Sequence, residues 1–207
     1  MYKKFFKRFF DIVVSFCALP FVGLVILIMA PFIYFEDKGP VFYNATRRGR
    51  NGKNFKMFKL RSMYVNSPNL RNADGSTFNS DKDPRVTKIG RFMRKTSIDE
   101  LPQILNVFLG HMSFVGPRPT LPTKPYEELR EISKKRLTAR PGITGYAQAY
   151  YRNSIGQEEK FQYDCYYVDN ISFMMDVKVL LQTVKSVLKR ENINTTTEAP
   201  KEPVETK

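Results

Sequence analysis

The sequence predicts an α+β protein, mainly helical, built as an N-terminal re-entrant membrane helix hairpin followed by a small α/β domain with a short β-hairpin. Three observations carry this. A charge-free apolar run extends from Ile12 to Phe35 and contains two prolines. Aromatic and basic residues then alternate on either side of Asn51-Gly52. Near the C-terminal end, apolar residues recur at helical spacing.

The run IVVSFCALPFVGLVILIMAPFIYF would measure about 36 Å as a straight helix, against roughly 30 Å of bilayer hydrocarbon. It is too long for a signal-peptide core, and no small-residue cleavage site follows it. A spanning helix competes with a re-entrant hairpin, and the flanking charges and Pro20 favour the hairpin modestly. Lys3, Lys4, Lys7 and Arg8 precede the run, while Lys38, Arg47, Arg48, Arg50 and Lys53 follow it. Positive charge marks the cytoplasmic side, and here it flanks both ends. Pro20 removes a helical hydrogen bond in mid-run, which favours a bend there. Ser15, about one turn earlier, could satisfy the backbone that the bend exposes.

Residues 40–63 predict a hairpin turning at Asn51-Gly52. Residues 64–84, rich in Asn, Ser, Asp and Gly, predict a surface loop ending at Asp83-Pro84. A mostly helical stretch is expected from Arg85 to Gly110, then a proline-rich loop through Pro117, Pro119, Pro122 and Pro125. Glu127–Leu137 should form a charged helix, and Arg140-Pro141-Gly142 a turn. In the last helix, about Met175–Arg190, one face holds Val177, Leu180, Leu181, Val184 and Leu188. The division is 1–38 for the basic N-terminus and membrane segment, 39–190 for the folded domain, and 191–207 for a disordered tail without apolar periodicity.

Composition narrows the function. The 207 residues carry 34 Lys and Arg against 20 Asp and Glu, a formal charge of +14. Such a charge predicts an anionic partner: nucleic acid, a phosphate-bearing small molecule or an anionic membrane. Two cysteines and one histidine exclude a disulfide scaffold and multi-histidine metal sites. No phosphate-binding P-loop, dinucleotide fingerprint or nucleophile elbow occurs.

What stands out is Thr96-Ser97-Ile98-Asp99-Glu100-Leu101-Pro102-Gln103. Ser97 and Glu100 have capping-box spacing, so a purely structural role is open. The same acids suit a nucleophile or a magnesium ligand beside the basic run Arg85, Lys88, Arg91, Arg94, Lys95. Arg118, held between Pro117 and Pro119, is either a surface arginine or a preorganised phosphate fork. Lys59 and Arg61 share one face of an extended segment, which is either a solvated edge or a phosphate contact.

Taken together these segments resemble the small monotopic phosphoglycosyl transferases, the bacterial sugar transferase family that begins lipid-linked glycan assembly. The resemblance runs from about Lys7 to Arg190. It rests on Lys7-Arg8-Phe9-Phe10-Asp11, Gly39-Pro40-Val41-Phe42, Lys59-Leu60-Arg61-Ser62-Met63 and Asp83-Pro84-Arg85-Val86-Thr87. Arg94 to Gln103, Gly116-Pro117-Arg118-Pro119, Arg140 to Gly145 and Asp164 to Ser172 complete it. Each motif is weak alone; their order and spacing are specific.

The resemblance implies transfer of a sugar phosphate from a UDP-sugar to polyprenyl (undecaprenyl) phosphate, with Mg2+, releasing UMP. It implies a monotopic enzyme on the cytoplasmic face of the bacterial inner membrane, against anionic lipid, with residues 39–190 as a cytoplasmic catalytic domain. Asp99 would be the nucleophile, forming a phosphosugar–aspartyl intermediate, and Glu100 its partner acid. Asp99, Glu100 and Asp164 would serve the metal, and Lys59, Arg61, Arg85 and Arg118 the phosphates. Gln148 and Arg152 are candidates for uridine. Two departures are visible: Leu19-Pro20 replaces the family's Ser-Pro at the bend, and His111 stands where the family carries Asp. His111 is expected to be a loop or capping residue. A competing class is a basic membrane adaptor binding anionic lipid or nucleic acid; acids beside the most basic run argue against nucleic acid. No motif reads out the sugar, the glycan or an oligomeric state.

Overall fold

The computed structural model describes residues 1–68, 70, 80, 83–152 and 154–189. The expected tail at 191–207 and most of the loop expected at 64–84 lie outside the described residues.

A turn of π-helix, Tyr2–Phe6, leads into α1, Lys7–Asp37, whose hydrogen-bonded backbone continues through Pro20 and Pro31. The chain therefore stays helical through the expected bend at Pro20. Proline costs its own hydrogen bond and need not end a helix that packs along its length. Ser15 does not serve the carbonyl that Pro20 leaves free. Its hydroxyl donates backwards, to Asp11 O at 2.5 Å and Ile12 O at 3.1 Å.

Helix α1 buries Asp11, Ser15, Val22, Met29 and Ile33, a stripe at spacings of four and seven that follows a single face. The opposite face exposes Phe9, Val13, Phe16, Phe21, Leu24, Leu27, Phe32 and Phe35. Both ends are tied to the rest of the chain. Arg8 donates to Val107 O and Phe108 O at 2.6 and 2.7 Å. Asp37 accepts from Arg61 at 2.5 and 2.6 Å, and Glu36 from the amides of Lys88 and Ile89.

The hairpin forms as expected: β1, Ala45–Arg48, pairs antiparallel with β2, Asn54–Met57. Asn51 and Gly52 both take positive φ at the turn, which is why that pair of residue types marks it. Helix α2, Lys88–Thr96, is capped by Thr87, whose side chain accepts from the Gly90 amide. Gly90 lets α2 approach closely, since a Cβ there would stand 2.1 Å from Ser62 O. A 3-10 turn, Ile98–Glu100, and α3, Gln103–Phe108, follow.

Two strands were not expected. β3, Ser113–Val115, pairs parallel with β4, Gly142–Thr144. Parallel neighbours need a crossover connection, supplied here by the proline-rich loop and α4, Glu131–Arg136, which is shorter than the expected 127–137 helix. Helices α5, Tyr146–Tyr150, and α6, Gln157–Asp169, also escaped the periodicity reading. Tyrosine stacking joins them: Tyr151 lies 4.3 Å from Tyr163, and Tyr146 lies 5.8 Å from it. The last helix is α7, Phe173–Lys189.

One buried cluster joins Val115, Ala149, Tyr167 and Val179; another joins Met29 and Ile33 of α1 to Leu60 and Met93. The second cluster includes Ile98, so the apolar helix packs directly beneath the acidic turn.

Candidate active site

The acidic pair does not begin an α-helix. Ser97 adopts the left-handed conformation (φ 58°, ψ 17°) as the C-cap of α2 and makes no side-chain capping bond. The capping-box reading is thus corrected. The reversal at Ser97 places Asp99 and Glu100 in the short 3-10 turn, where Glu100 faces Lys59 instead of its own backbone.

Lys59 is held at this point by its neighbours. Asn106 of α3, fully buried, accepts from the Phe58 amide at 2.8 Å and donates to Lys56 O at 2.8 Å, extending the strand pattern past β2. The Tyr43 amide donates to Lys59 O at 2.9 Å, and the Leu60 amide to Asp99 O at 3.0 Å. The ammonium then lies 2.8 Å from Asp99 Oδ2 and 3.4 Å from Glu100 Oε1. Asp99 is buried, its side chain 3% exposed, while Glu100 at 28% is the acid that meets solvent. Burial disfavours charge on Glu100, but the Lys59 ammonium, then Arg118 and Arg94, outweigh it and hold the carboxyl below its ordinary value.

Arg118 is exposed in its proline-held loop and contributes to that field. Its carbonyl accepts from Arg136 at 2.7 Å, which fixes the loop. Arg94, whose Nε donates to Ser62 Oγ at 3.0 Å, interacts electrostatically with both Asp99 and Glu100. Sequence reasoning counted Arg94 within a basic run but had no means to choose it over Arg91 or Lys95. Only the reversal at Ser97 brings its charge back over the acids.

Other expected residues are placed elsewhere. Arg61 is 6% exposed and spends its guanidinium on Asp37, Ile33 O, Pro40 O and Met63 O. It anchors the end of α1. Arg85, also 6% exposed, forks onto Asp83 and donates to Pro68 O. Asp164 accepts from Arg136 Nε at 3.0 Å and Nη2 at 2.5 Å in a buried pair. Gln148 lies on α5, its amide donating to Ile143 O at 3.4 Å with Oε1 buried and unpartnered; Arg152 follows α5 with φ 46°. His111 is exposed just after α3, its ring 5.8 Å from Phe55.

A magnesium ion suits the donor chemistry here. Two adjacent carboxylates offer hard oxygens, and magnesium takes one or two carboxylates and completes its shell with water and substrate phosphate. Among the described residues no group of three His, Cys, Asp or Glu is arranged to hold a metal. Asp164 is not grouped with Asp99 and Glu100 in this structure, its carboxylate being paired with Arg136. The acidic pair fits an ion shared with substrate and not one caged by protein alone.

Lys59, Arg94 and Arg118 around the carboxylate pair offer the positive charge and N–H donors that suit phosphate oxygens. The galactosyl transferase CpsE of Streptococcus agalactiae is 42% identical over 190 residues, covering 88% of this chain and 42% of that protein. The sugar transferase EpsL of Bacillus subtilis is 41% identical over 191 residues, covering 92% of this chain and 91% of that protein. The undecaprenyl-phosphate galactose phosphotransferase of Salmonella typhimurium is 37% identical over 205 residues, 91% of this chain and 41% of that protein. The chain thus spans about two fifths of some relatives and nine tenths of another. Residues 2–190 match the bacterial sugar transferase family, and with these relatives the chain belongs to that family.

Proposed function

We propose that the chain transfers a sugar 1-phosphate from a UDP-sugar to polyprenyl phosphate, yielding a polyprenyl diphosphosugar and UMP as the first membrane step of a bacterial glycan. The observation that carries this is the Lys59 ammonium bridging Asp99 and Glu100. A carboxylate attacks a diphosphate only when cations neutralise the target, and Lys59, Arg94 and Arg118 surround this pair.

In the proposed sequence the diphosphate draws Lys59 onto its oxygens and uncovers Asp99. An Asp99 carboxylate oxygen bonds to the sugar-bearing phosphorus, and the bond from that phosphorus to UMP breaks. A lipid phosphate oxygen then attacks the same phosphorus and releases Asp99. Glu100, kept ionised, orients the incoming phosphate, and with Asp99 would hold magnesium. Bound magnesium would supply further charge neutralisation at the diphosphate. Gln148 and Arg152 remain the candidates for uridine.

We further read α1 as monotopic, with the folded domain on the cytoplasmic face. A 31-residue helix measures about 46 Å, yet both its ends bond to the same body and its buried stripe runs between them. The exposed apolar face is then the one offered to lipid.

The test is UMP release from UDP-sugars by the full chain in detergent with polyprenyl phosphate, alongside intact-protein mass after UDP-sugar alone. Turnover and a phosphosugar mass increment are expected, both absent in Asp99→Asn. Retained turnover in Asp99→Asn, with deamidation excluded, would remove the nucleophile assignment.

A further inference from the structure

A second site lies at the other end of α1, away from the acidic turn. A cavity of about 280 Å³ opens between the N-terminal residues, α1, β3 and α7. Its walls are Phe10, Val14, Phe173, Val177 and Leu180. Of these, Phe10, Val14, Phe173 and Leu180 are also exposed on the surface, so the mouth lies within the apolar face that α1 and α7 present.

The lining is not wholly apolar. Asp11 is 4% exposed; its Oδ1 accepts from Ser113 Oγ at 3.1 Å and the Phe114 amide at 3.2 Å. Its Oδ2 is buried without a hydrogen-bond partner. Asp176 also lines the cavity and is saturated, accepting from Tyr2, Lys7 and Tyr167 at 2.6 Å each. Lys7 bonds to Asp176 and acts on Asp11 only through its field, as Arg8 and Arg140 do, and the bare oxygen belongs to Asp11. Arg8 offers no direct relief, since its guanidinium is turned onto Val107 O and Phe108 O. A buried acceptor left bare is costly, and a ligand donor would remove that cost.

We propose that this cavity binds the head group of a phosphatidylethanolamine-type lipid, its ammonium donating to Asp11 Oδ2 and its phosphate lying by Lys7. Charge complementarity selects the head: a zwitterion supplies a cationic hydrogen-bond donor for Asp11 Oδ2 and the anion for Lys7. Size permits it: the cavity's volume equals that of roughly nine waters at about 30 Å³ each, room for a head group of about eight non-hydrogen atoms. The acyl chains would leave through the mouth and lie over the exposed faces of α1 and α7. A choline head group carries no N–H, and a glycerol head group no cation, so neither replaces it at Asp11.

The test is native mass spectrometry of the full chain in mild detergent with equimolar dioleoyl phosphatidylethanolamine, phosphatidylcholine and phosphatidylglycerol. One ethanolamine lipid should be retained at least about tenfold over each of the others, the scale of a single hydrogen bond to a charged group. That preference should fall to about one in Asp11→Asn, and retention should drop in Val14→Phe, which narrows the mouth and keeps the Asp11 carboxylate. Circular dichroism checks that each variant is folded; if Asp11→Asn is not, Val14→Phe decides. Equal retention of the three lipids, an unchanged preference in a folded variant, or occupation by detergent or a second copy of the chain would overturn the proposal. Retention is read without substrate, so its outcome is separate from that of the transferase reading.

Discussion

Lys59 Nζ lies 2.8 Å from Asp99 Oδ2, and the backbones beside them are joined as well, the Leu60 amide donating to the Asp99 carbonyl at 3.0 Å. The main-chain bond fixes the two backbones to each other and leaves the Lys59 ammonium able to turn from Asp99 to an incoming phosphate. Lys59→Met should therefore lower UMP release by about 100-fold or more, the scale of losing one preorganised cation at developing charge. Lys59→Arg should recover only part of it, since a planar fork does not reproduce a point charge between two carboxylates. Steady-state UMP release checks both.

Arg61 spends its guanidinium on the end of α1. Arg61→Gln leaves Asp37 facing a vanished partner and should destabilise the protein by about 3 kcal/mol. The KM for UDP-sugar should stay within about twofold, because no catalytic group is touched. Thermal unfolding in detergent and initial-rate kinetics separate the two effects. A large rise in KM at unchanged stability would return Arg61 to the phosphate contacts.

Asp164 makes a comparable distinction for the metal. Asp164→Asn should lower stability through its buried partner Arg136 and loosen the Arg118 loop that Arg136 holds. The magnesium concentration giving half-maximal rate should stay unchanged, whereas Glu100→Gln should raise it. Magnesium titrations of the two variants give the answer.

Among the described residues three carboxylates are held below their ordinary values. Arg61 hydrogen bonds lower Asp37; burial opposes charge on Asp83 and Glu100 but is outweighed by Arg85 and by Lys59. The stability these pairs contribute is complete above the ordinary values of 3.8 and 4.5. It is lost as pH falls through the lowered ones. Urea midpoints should be flat from about pH 7 to pH 5 as far as these groups are concerned, then fall. Arg61→Gln should show a smaller acid-side fall than the parent chain.

Topology is open to labelling. Cys17 is exposed and Cys165 buried, so both are first replaced by Ala. Single cysteines at Lys3 and Lys38 should then react with an impermeant maleimide from the same side of sealed vesicles. Labelling from opposite sides would exclude the monotopic reading.

Much of this protein is legible along the chain. The apolar run with cations at both ends, the Asn51-Gly52 turn, the amphipathic last helix and the acidic pair beside basic residues are all local signals. They depend on residue type and short spacing alone. The family motifs added their order, which is also linear. What the chain could not show is which partners distant residues find. Arg61, Arg85 and Asp164 look like Arg94 and Arg118 in sequence, as charged residues within motifs, yet the fold satisfies the first three internally. Ser97, Asp99 and Glu100 fit a capping box by spacing, and the left-handed turn at Ser97 sends them to Lys59 instead. The parallel pair of β3 and β4 needs a crossover, and α5 and α6 are built on tyrosine stacking, so neither leaves a periodic trace. Local sequence determined the elements and the chemistry on offer; tertiary packing decided which charges are neutralised inside and which are left for a substrate, because a buried charge must find its partner across the fold.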